Sequence, residues 1–130
     1  MRKYRNEKTW VAGVWFDSKR EAQRYAELRW LEQAGLIADL RRQVRFQVIP
    51  PISVNGKTDE REAVYIADFV YKVTQEGNRL DGMTVIEDAK GMKTPVYILK
   101  RKLMKWHIRA GDLHDKDGNL YGGDTWFRES

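Results

Sequence analysis

The hydrophobic and polar positions along the chain predict strands in its middle and a helix on either side. The segment 63–73, AVYIADFVYKV, is apolar at nearly every position, which indicates a strand covered on both faces. The segment 83–91, MTVIEDAKG, predicts the next strand, so that 63–90 forms an antiparallel hairpin. An earlier strand is expected at about 43–49, where two prolines then end it.

Capping signals place the two helices. Ser18 begins the first helix, because the sequence S-K-R-E sets an acid three residues after a serine N-cap. Gly35 is expected to end that helix in the left-handed region. Thr94 and Pro95 begin the second helix as its N-cap and its first helical residue. Apolar residues follow there at helical spacing, with lysines and arginines mainly on the remaining surface: Val96, Leu99, Leu103 and Trp106.

The remaining segments are predicted to be shorter connections and strands. Residues 1–14 are basic and aromatic, which indicates an arm or a short strand, and 36–42 is expected to be a short connection. The segment 55–62, NGKTDERE, predicts a polar loop. Residues 110–130 predict a small β tail with a turn at Asp117-Gly118. The 130 residues are therefore expected to form one domain with the order helix, three strands, helix, β tail.

Composition narrows the class of protein. The chain has no cysteine, which excludes a disulfide framework, a thiolate zinc site and a cysteine nucleophile. No apolar run approaches the roughly 18 residues of a membrane span, and the N-terminal residues lack an apolar stretch of signal-peptide length. We therefore expect no membrane partner and a cytoplasmic location.

Charge indicates the kind of partner. The formal net charge is +5 and the isoelectric point is about 9.5, so a polyanion is the first partner to consider. Residues 93–109 contain no acid, and Arg41, Arg42 and Arg45 form a second basic group. The basic residues of the first group are Lys93, Lys100, Arg101, Lys102, Lys105 and Arg109. A nucleic acid fits both groups, although a basic helix can also be a solvated face.

The acidic positions in the strands suggest chemistry. Asp68 interrupts the apolar run YIADFVY, and a buried carboxylate needs a metal, a cation or several hydrogen-bond donors. In the next strand Asp88 and Lys90 are two residues apart and share a face, whereas Glu87 points to the other face. If the two strands pair, Asp68 and Asp88 converge at one end of the sheet with Lys90 beside them.

Two carboxylates on neighbouring strands are suited to a hard divalent cation such as Mg²⁺. Such an ion polarises a phosphoryl oxygen and lowers the pKa of a bound water. Lys90 would orient that water or stabilise charge developing on the phosphate. Glu21, from the first helix, would complete the site or hold a metal-bound water.

Each of these residues also has a simpler interpretation. Glu21 can serve only as the capping-box acid, which does not exclude a second role. Asp68 can pair with an arginine such as Arg45 across the sheet. Glu87 is expected to be a solvated acid or the partner of a residue on the next strand. Lys90, taken alone, is expected to be an ordinary lysine at the end of a strand. Only their order along the chain favours a reaction centre.

The acids and histidines of the tail allow two interpretations, a second metal site or a turn. The acids and histidines that would form it are His107, Asp112, His114, Asp115 and Asp117. The run DKDG resembles part of a calcium loop, but Leu113 stands where that loop requires an acid. A β-turn is therefore the favoured interpretation of this segment.

Five segments, taken in order, resemble the PD-(D/E)XK nuclease superfamily, and more closely a small phage- and prophage-associated family of unknown function within it. They are FDSKREAQRY, QVRFQVIP, YIADFVY, IEDAKG and TPVYILKRKL, and they span roughly residues 13–106. Ala67 replaces the proline that names the motif, a substitution that many members share. Glu87 is a second acid beside Asp88, and strand parity favours Asp88 as the ligand.

The resemblance implies an α/β, restriction-endonuclease-like core, in which helices flank a mixed central sheet in αβββαβ order. It also implies a site that uses Mg²⁺ or Mn²⁺. The residues that match the site by position are Glu21, Asp68 and Asp88 as metal ligands, with Lys90 as the lysine of the motif. Lys100 and, more weakly, Gln43 match positions that contact DNA or support the site.

The function expected from the sequence is metal-dependent hydrolysis of DNA phosphodiester bonds, in phage DNA processing or recombination. The substrate is expected to be duplex or branched DNA, in the bacterial host cytoplasm if a phage encodes the chain. Cutting both strands of a duplex would call for a homodimer. The alternative is a non-catalytic DNA- or RNA-binding module that uses the basic helix at 94–109.

Overall fold

The computed structural model describes residues 8–89 and 92–130, which form two helices and ten strands. In chain order the elements are β1 (Thr9–Val11), β2 (Val14–Phe16), α1 (Lys19–Gln33), β3 (Ile37–Ile49), β4 (Ile52–Val54), β5 (Lys57–Glu60), β6 (Ala63–Val73), β7 (Thr84–Asp88), α2 (Pro95–Ala110), β8 (Leu113–His114), β9 (Leu120–Tyr121) and β10 (Thr125–Glu129). No helix in these two ranges is long and apolar enough to cross a membrane.

A four-stranded sheet in the order β10-β7-β6-β3 is the centre of the fold. The pairs β3–β6 and β6–β7 are antiparallel, whereas β7–β10 is parallel. The sheet is therefore mixed, as the resemblance implies. Counting only the two helices and the strands of this sheet, the chain order is α1, β3, β6, β7, α2, β10. The last strand of the predicted β tail thus completes the main sheet, because α2 returns the chain to the free edge of β7.

Each helix covers one face of the sheet, and β6 contributes to both hydrophobic clusters. The α1-side cluster contains Leu28 of the helix and Phe69 of β6. The α2-side cluster contains Met104 of the helix together with Ala67 and Val70 of β6. These β6 side chains are at most 2% exposed. The prediction that both faces of this strand are covered is confirmed.

The capping signals are confirmed in the structure. The Ser18 hydroxyl accepts a hydrogen bond from the Glu21 amide at 3.3 Å, and Gly35 follows α1 with a φ of 78°. The Thr94 hydroxyl accepts one from the Tyr97 amide at 3.1 Å. Short side-chain acceptors satisfy amides that lack a partner in the first turn of a helix, so these ends can be located from the sequence alone.

The apolar residues of α2 at helical spacing are mostly not the buried ones. Val96, Leu99 and Trp106 are each more than half exposed, whereas Met104 and Ile108 pack on the sheet. The helix has apolar side chains on two of its sides. Residue type alone could not decide which side meets the sheet.

Two segments differ from the sequence prediction. Strand β3 begins at Ile37, so 36–42 is not a connection; Asp39, with a φ of 56°, lies within a register shift that breaks the alternation there. The predicted polar loop contains the β4–β5 hairpin. Asn55-Gly56 makes its turn, with φ values of 51° and 78°, a residue pair that favours a two-residue hairpin.

The predicted N-terminal arm is described only from residue 8 onward. Strands β1 and β2 there form an antiparallel hairpin. Residues 1–7 lie outside the described ranges. The hairpin leads directly into α1, so it lies next to the first turn of the helix that carries Glu21.

Candidate functional site

Strands β3 and β6 change faces together at one point in the sheet. Val44 and Ala67 are registered partners in the α2-side cluster. The next registered pair, Arg42 and Phe69, faces α1: Phe69 belongs to the α1-side cluster, and the Arg42 guanidinium lies 4.2 Å from the centre of the Phe16 ring. Residues two apart in a regular strand share a face, so the regular pattern is interrupted between these two pairs.

Gln43 and Asp68 are the residues at that interruption. Gln43 has a φ of 51°, in the left-handed region that few non-glycine residues adopt. A backbone held there costs on the order of 1–3 kcal/mol, and such strain recurs at active sites as well as in turns. The strained residue lies opposite the acid that interrupts the apolar run of β6.

Asp68 is buried and is bonded to neutral groups. Its Oδ2 accepts a hydrogen bond from the Ala89 amide at 2.9 Å, and its Oδ1 accepts one from Gln43 Nε2 at 3.5 Å. Among residues 8–89 and 92–130, no lysine, arginine or histidine forms an ion pair with its side chain. The interpretation that pairs it with Arg45 is therefore wrong, since Arg45 is exposed and stands opposite Ile66 in the register.

Asp88 lies next to Asp68 at the same end of the sheet. Its Oδ1 accepts a hydrogen bond from the Asp68 amide at 3.1 Å, and the residue is fully buried. The last registered pair of β6 and β7 at this end is Phe69 with Glu87. Beyond it the two aspartates continue the pairing, because each carboxylate binds a backbone amide of the other strand.

Glu21 is joined to this pair by Gln43. The Gln43 Nε2 group donates to Glu21 Oε1 at 2.8 Å as well as to Asp68. The Glu21 amide meanwhile bonds the N-cap hydroxyl. Glu21 can therefore take part in the cap and lie beside the aspartates at the same time. Its backbone amide bonds the cap, whereas its side chain bonds Gln43.

Glu87 points to the other side of the sheet, toward α1. Its carboxylate accepts hydrogen bonds from Arg24 Nε at 2.5 Å, from Arg24 Nη2 at 3.0 Å and from the Tyr71 hydroxyl at 2.5 Å. It is fully buried, so the interpretation as a solvated acid is wrong, whereas Tyr71 is indeed a cross-strand partner. The acids that adjoin in sequence thus belong to two separate groups.

The environment of Glu87 keeps it charged. Burial raises its pKa, but the hydrogen bonds from Arg24 and Tyr71 outweigh that effect, and the net pKa lies below its usual value. The pKa of Tyr71 is raised, first by burial and then by the neighbouring Glu87 charge. Nothing in the sequence pattern singles out Arg24 or Tyr71. Their spacing from Glu87 is long, and only the packing of α1 on β6 and β7 brings them together.

Other residues predicted for the site have different surroundings. Lys90 lies outside the described residues. Lys100 Nζ donates to the Val64 carbonyl at 2.8 Å. Arg101 pairs with Glu129 at 3.0 Å, and Lys93 lies 3.7 Å from the same carboxylate. These three cations of the basic segment 93–109 therefore have protein partners and do not form one continuous free surface with Arg42 and Arg45.

The tail segment forms a turn, as the sequence favours. Asp115 Oδ1 accepts hydrogen bonds from the amides of Asp117 and Asn119, both at 2.9 Å, and its Oδ2 accepts one from the Tyr121 hydroxyl at 2.7 Å. Burial raises the pKa of Asp115, but these donors and Arg41 lower it to about 2. The Asp115 carboxylate oxygens therefore accept hydrogen bonds within the turn that joins β8 and β9.

The donor chemistry of the aspartate pair fits a small, hard cation. Among the side chains that the structure describes, no group of three or more His, Asp or Glu residues is arranged to hold a metal ion. Two adjacent carboxylates are nevertheless a sufficient protein contribution for Mg²⁺, which is usually held by one or two carboxylates and keeps several waters. Asp68 and Asp88 would be those ligands.

The geometry defines an α/β domain with an acidic pair at the end of a mixed sheet, bordered by Glu21 and Gln43. The chain belongs to the family described as "Protein of unknown function (DUF1064)", whose model matches residues 1–116. No curated protein and no solved structure matches the chain. The match covers the acidic pair, both helices and every strand of the main sheet except β10.

Proposed function

We propose that the chain is a metal-dependent nuclease that hydrolyses DNA phosphodiester bonds. One observation carries the proposal: residues from α1, β3, β6 and β7 converge on Asp68, a buried carboxylate whose donors among the described residues are all neutral. A carboxylate in that setting is stabilised by taking up a cation, whereas a purely structural acid is expected to have a cation of its own, as Glu87 has.

The proposed roles follow from the contacts. Asp68 and Asp88 bind the ion, which when bound polarises the phosphate and activates water. Gln43 holds Asp68 and Glu21 in fixed relative positions through its amide group. Glu21 would hold a water of the ion's shell. Lys90, by the resemblance stated above, would position the attacking water or stabilise charge on the phosphate.

The element order also supports a place in the PD-(D/E)XK superfamily with a restriction-endonuclease-like core. The acids stand on the elements where the resemblance expects them: the first helix, the second strand of the sheet and the end of the third. Mg²⁺ or Mn²⁺ would be the cofactor, and phage DNA processing or recombination in the host cytoplasm the setting. Cleavage of both duplex strands would require two copies.

The proposed function is tested with purified protein and three substrates: supercoiled plasmid, a branched junction and single-stranded DNA. Each is incubated with Mg²⁺, Mn²⁺ or EDTA. We expect cleavage of at least one substrate with Mg²⁺ or Mn²⁺ and none with EDTA. Asp88→Asn should reduce the rate on the order of 10³-fold, because loss of a metal ligand removes several kcal/mol of transition-state stabilisation.

The matched control is Asp81→Asn, since Asp81 is an exposed turn acid on the same hairpin. It should cleave at the parent rate. DNA binding without cleavage of all three substrates under every metal condition would contradict the nuclease. That result would favour the alternative, a DNA- or RNA-binding module that uses the basic helix.

A further inference from the structure

The β1–β2 hairpin has one face in the core and one in solvent. Val11 and Val14 pack against the α1-side cluster, and Phe16 is buried within it. The opposite face carries the cross-strand pair Trp10 and Trp15, whose side chains are 56% and 62% exposed. The hairpin thus presents two large aromatic rings to solvent.

The two indoles lie against each other edge to face, with ring centres 5.1 Å apart and planes at 64°. A cross-strand aromatic pair of this kind stabilises a hairpin by roughly 0.2–1 kcal/mol. That contribution explains the contact between the rings. The ring–ring contact leaves the remaining indole surface exposed to solvent. Large exposed aromatic surface is characteristic of binding sites.

The hairpin also borders the candidate site. Phe16, the residue after Trp15, supports the Arg42 guanidinium, and Arg42 directly precedes Gln43. Arg42 Nε is buried and has no hydrogen-bond partner in the described part of the chain. Lys8 and Lys19 are exposed at the two ends of the same segment. Arg42 thus lies against the core face of the hairpin that carries the two open rings, and two exposed lysines flank that hairpin in the sequence.

We propose that Trp10 and Trp15 form a stacking site for unpaired nucleobases. The inference rests on the proposed function and names its substrate class: nucleic acid with single-stranded or unstacked bases next to the bond that is cut. An indole offers a flat apolar surface to any base, and nearby cations hold the phosphates, which is how single strands are bound without sequence preference. Bases in an intact duplex are not available for such stacking.

The test measures binding in EDTA, where no cleavage occurs, by anisotropy of a labelled dT oligonucleotide and of a labelled duplex of equal length. Base stacking contributes about 1–3 kcal/mol per base. Trp10→Val with Trp15→Val should therefore weaken dT binding about 5- to 150-fold and change duplex binding little. Trp10→Phe with Trp15→Phe should restore most of the dT binding, since phenyl rings also stack.

Trp30→Val is the matched control, because Trp30 is 65% exposed on α1 and should leave dT binding unchanged. Circular dichroism and thermal unfolding verify that each variant is folded. If the double valine variant unfolds, the single variant Trp15→Val is used, with a smaller expected loss. Equal dT binding by parent and folded valine variant overturns the stacking site, as does an equal loss of dT and duplex binding.

The two proposals fail in different ways. Tryptophan-dependent binding of dT without cleavage under any metal condition would support the stacking site and contradict the nuclease. Metal-dependent cleavage with dT binding that does not depend on Trp10 or Trp15 would support the nuclease and overturn the stacking site.

Discussion

Glu87 and Asp68 are buried acids on neighbouring strands, and their surroundings differ. Glu87 is fully buried and bonded to Arg24 and Tyr71, so its charge is balanced inside the protein. Asp68 is 9% exposed and is bonded to one amide of the backbone and one of a side chain. The first arrangement stabilises the fold. The second holds a carboxylate in place near solvent without a cation from the described residues, which is the arrangement that the proposed metal site uses.

The comparison separates two uses of a buried charge. An ion pair with low exposure is sensitive to loss of either partner, because the remaining charge is left in a poorly solvating environment. Asp68 has no such partner among the residues that the structure describes. Variants of the Glu87 group should therefore change stability, and variants of Asp68 should chiefly change function.

The largest loss of stability is expected for Arg24→Ala. This change leaves the buried Glu87 carboxylate with only the more distant Arg128, at 3.9 Å, and breaking a buried pair costs about 3–5 kcal/mol. The free energy of unfolding is measured by urea titration. Arg29→Ala is the control, because Arg29 forms only a partly exposed pair with Glu32 on the same helix and should cost about 1 kcal/mol or less. Equal losses for the two variants would contradict the distinction.

Lowering the pH should reduce the free energy of unfolding less than Arg24→Ala does, because protonation of Glu87 removes its buried charge. The pKa of Glu87 is lowered in the folded protein, so its stabilising contribution is present above its unfolded pKa of about 4.3. It is lost as pH falls through the lower folded value. The free energy of unfolding between pH 7 and pH 3 should therefore fall more steeply for the parent than for Glu87→Gln. Parallel curves would contradict this role of Glu87.

Tyr71→Phe should have an intermediate effect. The variant removes the hydroxyl that donates to Glu87 and keeps the ring, and a hydrogen bond to a charged group contributes about 1.5–3 kcal/mol. Tyr25→Phe is the control in the same cluster, because the Tyr25 hydroxyl has no hydrogen bond to any described residue. Thermal and urea unfolding should detect a clear loss for Tyr71→Phe and little change for Tyr25→Phe; the reverse order would be inconsistent with the assigned contact.

The smallest change in stability is expected for Asp68→Asn. An asparagine keeps an oxygen for the Ala89 amide, and the change breaks no ion pair with a described residue, so the free energy of unfolding should change by about 1 kcal/mol or less. Cleavage should nevertheless be lost, as for Asp88→Asn. A loss of stability as large as that of Arg24→Ala would show that Asp68 is structural, and the comparison with Glu87 would fail.

Local chemistry made much of the fold predictable. Ser18, Gly35, Thr94 and Pro95 determine where helices begin and end because each satisfies or constrains the backbone within a few residues. The continuous apolar run of β6 indicated a strand covered on both faces, because successive side chains of a strand point to opposite faces. The start of β3 was not predictable, because a positive φ at Asp39 depends on the register of the partner strand.

The candidate site was predictable only in part. The separation of Glu87 from Asp88 follows from strand parity, since neighbouring residues of a strand point to opposite faces. The bridge from Gln43 to Glu21 and Asp68 depends on two strands changing faces together, and parity alone does not foresee it. Sequence patterns also misjudged α2, where apolar residues on two sides left the buried side undecided.

The sequence by itself determined the two helices, the order in which they and β3, β6 and β7 follow one another, and which acids share a strand face, because capping and alternation act over a few residues. Tertiary structure decided which acid receives a cation, which side of α2 is buried and which tryptophans remain in solvent. Those outcomes depend on the packing of residues far apart in the chain. Arg24 meets Glu87 only because α1 packs across β6 and β7, and no local pattern records that contact.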